Sequence, residues 1–159
     1  MYNYSFQKLG LDYVYLAFDI KEEDTSKAIN ALRLLNVKGF NITMPGKTAA
    51  LSCCDELSKA AQLIGAVNTV VNENGKLIGH NTDGLGWVRN CREHGFEIRG
   101  KKMTIAGSGG AATAIEITSA LEGMSEISIF ARKDTFFCKC RGYGRKDPQA
   151  CFRMPGESV

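Results

Sequence analysis

Residues 11–20 (LDYVYLAFDI) are rich in aromatic and β-branched side chains and predict a mostly buried strand. Polar residues follow. Ala28, Leu32 and Leu35 then recur at helical spacing, with Thr25 or Ser26 placed to cap the helix and Asn36 and Gly39 to end it. Residues 39–43 form the next apolar run, so the unit reads βαβ with a parallel pair of strands. Residues 46–54 and 58–64 predict short helices. Residues 66–72 predict a strand, Glu73, Asn74 and Gly75 a turn, and residues 76–79 the return. Trp87, Val88 and Cys91 share one helical face, in a helix that Asp83 can cap and Gly95 can close.

A second segment starts at Gly100. KKMTIA (residues 101–106) reads as a strand, GSGGAA (107–112) as a glycine loop, and EISIF (126–130) as another strand. Between them Ala111, Ala114, Ile115, Thr118 and Leu121 share one side of a helix. Strand, glycine loop, helix and strand in this order are the setting that a dinucleotide-binding turn requires. Gly107 makes the tight turn, Gly109 lets the backbone approach a pyrophosphate, and Ala112 takes the third position, where Ala is allowed. The helix start adds free N–H groups and a partial positive charge. The competing reading is an ordinary glycine-rich βα turn. Past the second strand stand Arg132, Lys133 and Asp134. An acid there binds the ribose 2′-OH of NAD, and an Arg accommodates the 2′-phosphate of NADP. Both types are present, so NAD or NADP stays open, as does a reading of three solvated charges.

The length of 159 residues allows one domain or two small ones, and 44% hydrophobic residues is ordinary for a soluble globular protein. No run is long enough to cross a bilayer, and no basic segment precedes an apolar one at the start, so the chain reads as cytoplasmic. Six cysteines in that setting read as thiols, and without a CxxC pair no metal site is expected. Residues 138–159 hold five basic and two acidic side chains, which accounts for the whole net charge of +3 and leaves residues 1–137 formally neutral. No nucleic-acid partner and no membrane partner is expected from that neutral part; the basic tail could supply only nonspecific, salt-dependent affinity. The tail mixes Gly, Pro, Arg and Cys without an amphipathic face and predicts disorder.

The chemistry centres on GFNITMPGK (residues 39–47). The apolar run reaches Thr43, Pro45 stops it, and Lys47 follows. A lysine at the rim of a short strand is well placed to handle a proton, although a lysine taken alone is ordinarily just solvated. Asp83 alone is most simply a helix cap, and Asn68 a turn residue.

Four motifs change those readings together. NITMPGK (41–47), GAVNT (65–69), GHNTDG (79–84) and GSGGAA (107–112) occur in the order and spacing of shikimate dehydrogenases. FARKD (130–134) and the MPGK form resemble the bacterial quinate/shikimate dehydrogenase branch, which accepts NAD as well as NADP. The resemblance covers residues 1–137. It implies an α/β fold: a βαβ-type substrate-binding domain over residues 1–99, the first half of a Rossmann domain over 100–137, and then an aberrant tail over 138–159. It implies an oxidoreductase of aromatic amino acid biosynthesis that interconverts shikimate, or quinate, with the 3-dehydro ketone; a homodimer stays open.

Residue by residue, the resemblance gives Lys47 and Asp83 the catalytic positions. Tyr15, Thr43 and Asn68 join them as substrate contacts. Gly107, Ser108, Gly109, Gly110 and Ala111 match the phosphate loop, and Ala131, Arg132, Lys133 and Asp134 the ribose segment. The chemistry suits these types. Oxidising an alcohol needs a group that takes the hydroxyl proton, and a partly desolvated lysine can do this. A carboxylate beside it favours the ammonium form, so Asp83 is expected to fix the lysine and the substrate hydroxyls rather than tune a base.

Three departures from the family pattern stand out. A Ser-x-Ser segment that holds the substrate carboxylate would align just ahead of Met1. Ala131 replaces the usual Asn. Only one of the two mononucleotide halves of a dinucleotide fold is legible. These predict an N-terminal portion of such an enzyme, weakly active or limited to weak binding of substrate or adenosine nucleotide.

Overall fold

Asn74 and Gly75 both take positive φ, 54° and 95°. They form the two-residue turn whose twist matches the strands it joins. β3 (Thr69–Glu73) and β4 (Lys76–His80) therefore pair antiparallel, with Val71 opposite Ile78. Val70, Asn72, Leu77 and Gly79 are buried along this hairpin, one residue in two, as a sheet with one covered face requires. β1 (Gly39–Asn41) adds to β3 antiparallel and β2 (Glu56–Leu57) adds to β4 parallel, giving the order β1-β3-β4-β2. The computed structural model describes residues 1–130 and the backbone of residues 151–152.

α2 (Thr25–Leu34) and α3 (Lys59–Ile64) contribute Ile29 and Ala61 to the core of this sheet, with Ala50, Val67, Val70 and Leu77. Fully burying the Ile, Val and Leu side chains among these contributes about 1.5–3 kcal/mol each. Arg33 ties α2 to the sheet: its guanidinium donates to Asp55 Oδ1, to the Cys53 carbonyl and to the Gly75 carbonyl. The Asp55 carboxyl is held below its usual range, first by the Leu77 N–H it accepts from and then by Arg33.

The second sheet is built on β5 (Lys102–Ala106) and β6 (Glu126–Phe130), parallel and in register from Lys102 opposite Glu126 to Ala106 opposite Phe130. α5 (Gly110–Leu121) makes the crossover between them. α4 (Asp83–Glu93) packs here as well: Val88 joins Ile98, Met124 and Ile127 in a core lined by Trp87, Cys91, Met103 and Ile129. The α/β class and the strand–glycine loop–helix–strand order stand as expected.

Several expectations need correction. Residues 11–20 form no regular element, and Leu11, Tyr13, Val14, Leu16, Phe18 and Ile20 are exposed. Strand propensity gives a strand only where a ladder partner and a covered face exist, and among the described residues this segment has neither. The expected parallel pair of a βαβ unit is therefore replaced by the antiparallel β1–β3 pair. Thr25 does not cap α2 but is its buried first residue, with Asp24 at the cap and no side-chain cap bond. Leu35 is exposed at the other end. Residues 46–54 supply only a 3₁₀ turn, Ala49–Cys53. A short helix α1 (Tyr2–Lys8), with Tyr2 and Phe6 one turn apart, was not anticipated. In the tail, Cys151–Phe152 is a short strand, β7, antiparallel to β6, where disorder was expected. It pairs along the edge of β6 that β5 leaves open, with Ile127 opposite Phe152 and Ser128 opposite Cys151. The rest of that expectation lies outside the described residues.

Candidate active site

Two backbone bonds bring the loop after β1 against the entry to β3. Ile42 N–H donates to the Asn68 carbonyl at 2.8 Å, and Val67 N–H donates to the Lys47 carbonyl at 2.9 Å. Lys47 and Asn68, distant in sequence, are thus held on adjacent backbone. A third bond, Asn68 N–H to the His80 carbonyl at 3.0 Å, brings in the end of β4 and with it the start of α4.

Asp83 is where these three segments meet. Lys47 Nζ donates to Asp83 Oδ2 at 2.7 Å, and Asn68 Nδ2 donates to Asp83 Oδ1 at 2.7 Å. Both carboxylate oxygens are therefore engaged. The expectation that Asp83 caps α4 is corrected: Asp83 is the first helical residue, and the cap position belongs to Thr82, without a side-chain cap bond. The Asp83 N–H donates instead to Asn81 Oδ1 at 3.1 Å, and Asn81 is anchored through Nδ2 to the Ala66 carbonyl. The carboxylate is thus left for Lys47 and Asn68 and not for the helix's own N–H groups. A carboxylate in the first turn also has the favourable sign for the helix dipole.

Asn68 is buried, and its orientation is fixed from both ends. While Nδ2 serves Asp83, Oδ1 accepts from the Thr82 N–H at 3.0 Å and from the Thr69 hydroxyl at 3.0 Å. The network continues outward. Asn41 Nδ2 donates to Thr69 Oγ1 at 3.2 Å, and Tyr15 OH donates to Asn41 Oδ1 at 3.3 Å. Tyr15 is itself held by its N–H on Asn3 Oδ1 and by stacking of the Tyr2 ring at 4.4 Å. The structure therefore brings Lys47, Asp83 and Asn68 into direct contact and connects Tyr15 through Asn41 and Thr69. Thr43 lies exposed on the same loop as Lys47.

Asn41, Thr69, Asn81 and Thr82 were missed as network members. Asn41 and Thr69 are opposite one another in the β1–β3 register, a relationship visible only once the pairing is known. Asn81 and Thr82 lay inside the GHNTDG motif, and their two-residue proximity to Asp83 was the available signal.

The lysine and aspartate side chains are 25% and 36% exposed. They line a rim open enough to reach a small molecule and dry enough for the hydrogen bonds to hold their geometry. A lysine, a carboxylate and an amide converging from three elements suit a polyhydroxylated ligand and a proton transfer.

The glycine turn leaves the start of α5 open. Gly107 sits at φ +132°, a conformation that L side chains rarely adopt, and its N–H donates to the Phe130 carbonyl at 2.7 Å. Gly109 is the cap of α5, with no side-chain cap bond, and a Cβ at Gly107, Gly109 or Gly110 would meet open space. The uncapped start of a twelve-residue helix beside an open glycine face fits a dinucleotide pyrophosphate. Ser108 lies in the same turn, and Ala111 in the first turn of α5. Ala131, Arg132, Lys133 and Asp134, expected at the ribose, lie outside the described residues. Cys53, Cys54 and Cys91 are free thiols. Among the described residues no helix is long and apolar enough to cross a membrane.

Comparison with known proteins gives a consistent result. A family model described as the shikimate dehydrogenase substrate binding domain matches residues 1–70. The chain is 55% identical over 137 residues to a shikimate dehydrogenase (NADP(+)) of Listeria monocytogenes, covering 86% of this chain and 47% of that protein. It is 51% identical to the shikimate dehydrogenase (NADP(+)) of Alkaliphilus metalliredigens, covering 83% and 46%. The crystal structure of shikimate 5-dehydrogenase from Listeria monocytogenes, in complex with shikimate and NAD, superimposes with a TM-score of 0.86 at 53% identity, over 88% of this chain and 48% of that one. The chain spans about half the length of the curated relatives it matches.

Proposed function

The chain belongs to the shikimate dehydrogenase family, and from that premise we propose that it acts in NAD(P)-dependent interconversion of shikimate and its 3-dehydro ketone. The observation that carries this reading is the three-way contact of Lys47, Asp83 and Asn68. Lys47 handles the proton of the reacting hydroxyl. Asp83 holds Lys47 through one oxygen and is itself oriented by Asn68 through the other, so neither side chain needs to search for its geometry when substrate arrives. Thr43 and Tyr15 extend the wall toward the remaining hydroxyls. The turn over residues 107–111 takes the pyrophosphate of the cofactor. A bound nicotinamide supplies the hydride acceptor or donor.

Relatives named for NADP and a neighbour bound to NAD support both nucleotides as candidates. Quinate belongs to the same chemistry, since it presents a comparable ring hydroxyl, and it is the second substrate to test. A cytoplasmic setting goes with this reading.

A second reading is binding without turnover. It is favoured by a single parallel βαβ unit among the described residues, β5–α5–β6, where a complete dinucleotide fold has two mononucleotide halves. One experiment separates the two. Reduced-nicotinamide absorbance is followed with shikimate and NADP or NAD, alongside calorimetric titration of each ligand. Turnover supports the dehydrogenase, heat without turnover supports the binding form, and a folded sample giving neither removes both.

A further inference from the structure

Gly84 follows Asp83 directly and is buried on α4. A Cβ there would stand 2.2 Å from the Ala114 carbonyl oxygen, 2.2 Å from Thr118 Oγ1 and 2.7 Å from Thr118 Cβ. The first obstacle is backbone, so no change of rotamer clears it. α4 and α5 therefore touch main chain to main chain at this point. Glycine is a poor helix former, and at position 84 the close approach of α5 supplies a steric reason for it. Gly86, two residues further along α4, has no such reason, because a Cβ there meets nothing within 4 Å.

The seam lies between the two halves of the site. On α4 it is adjacent to Asp83. On α5, Ala114 is one turn from Gly110, where the helix begins behind the glycine loop. Thr118 Oγ1 is buried in the seam without a hydrogen-bond partner. That a hydroxyl is left unpaired there fits a contact set by close approach and not by polar attraction.

We propose that Gly84 is a positioning residue: it sets the span between the Lys47–Asp83 pair and the cofactor turn over residues 107–110. The proposal rests on the dehydrogenase reading for its consequence. Transfer between substrate and nicotinamide depends on a separation that both sites must share, and a misplacement of about 1 Å can cost about 10²-fold in rate. Any side chain at position 84 wedges the helices apart and lengthens that separation, leaving each half-site internally intact.

The test uses the full chain and Gly84→Ala, with Thr118→Ile as a second wedge from the opposite helix and Gly86→Ala as the control. Steady-state kinetics with shikimate and NADP, calorimetric NADP binding and a crystal structure of each variant are the readouts. Gly84→Ala and Thr118→Ile are expected to lower kcat by about 10²-fold. KM for shikimate and Kd for NADP should stay within about threefold, the split expected when only transition-state geometry is lost. The Asp83–Gly109 separation should lengthen in the crystals, while Gly86→Ala matches the unaltered chain in every readout. A folded Gly84→Ala that keeps its kcat overturns the proposal, as does an unchanged Asp83–Gly109 separation. Should Gly84→Ala fail to fold, Thr118→Ile decides by the same criteria. An unaltered chain without turnover defeats the dehydrogenase reading itself; the crystal separation then decides the seam alone.

Discussion

Lys47 Nζ lies 2.7 Å from Asp83 Oδ2 across 36 residues of sequence. The contact is prepared by the backbone on both sides: Val67 N–H holds the Lys47 carbonyl, and Asn81 Oδ1 holds the Asp83 N–H. The backbone on each side is therefore in place before the side chains meet, and the ion pair itself, between partly exposed groups, is worth only about 0–1 kcal/mol.

Replacing Asp83 with Asn tests that distinction. The amide keeps the shape but loses the charge opposite Lys47. Thermal stability should move by less than about 1 kcal/mol, because solvent screens a pair exposed to this degree. Turnover should fall by about tenfold or more, since general acid–base chemistry depends on the orientation of the group that carries the proton. Melting and initial rates on one preparation check both halves; a large loss of stability would assign Asp83 a structural role instead.

Asn68→Ala should behave in the opposite way. Asn68 is buried, and its removal strands the Thr82 N–H, the Thr69 hydroxyl and one oxygen of Asp83. Each hydrogen bond lost with the Asn68 side chain, part-buried as these are, costs about 0.5–1.5 kcal/mol. Urea unfolding should show a lowered midpoint with an unchanged slope, and calorimetry a weakened affinity for shikimate.

Glu116 on α5 gives the chain a pH dependence unconnected with the site. Burial raises its carboxyl from 4.5 to about 7, and its Oε1 is sealed without a hydrogen-bond partner. The folded protein thus holds a proton that the unfolded chain releases near 4.5. Stability from this group is full below about 4.5, declines as pH rises through about 7, and then levels off. The loss should be about 1–2 kcal/mol after allowance for screening. In Glu116→Gln the slope between pH 5 and 8 should flatten; an identical slope in the variant would show that another group is responsible.

Much of the site was legible before the structure because its residues sit in short motifs. GHNTDG carries the end of β4, the cap position and Asp83 in one stretch, and GSGGAA carries its own turn chemistry. The hairpin was legible for a similar local reason, the Asn74 and Gly75 turn. What escaped depends on long-range pairing. Residues 11–20 have the composition of a strand, yet a strand exists only with a neighbour to bond, and β1 found its neighbour in β3. Asn41 and Thr69 looked like unremarkable polar positions until the β1–β3 register set them opposite one another. The α4–α5 seam was invisible for the same reason: Gly84 read as part of a motif, and only the helix crossing gives it a steric function.

The role of Lys47 is tested most directly by comparing the unaltered chain with Lys47→Ala at reduced-nicotinamide absorbance, using shikimate with NADP and then NAD. Measurable turnover is expected in the unaltered chain and a fall of about 10²–10⁴-fold in the variant, with the variant still folded. Equal turnover in the two proteins would contradict the assignment of Lys47 as the proton-handling group. No turnover by the unaltered chain at high enzyme concentration would contradict the dehydrogenase reading itself.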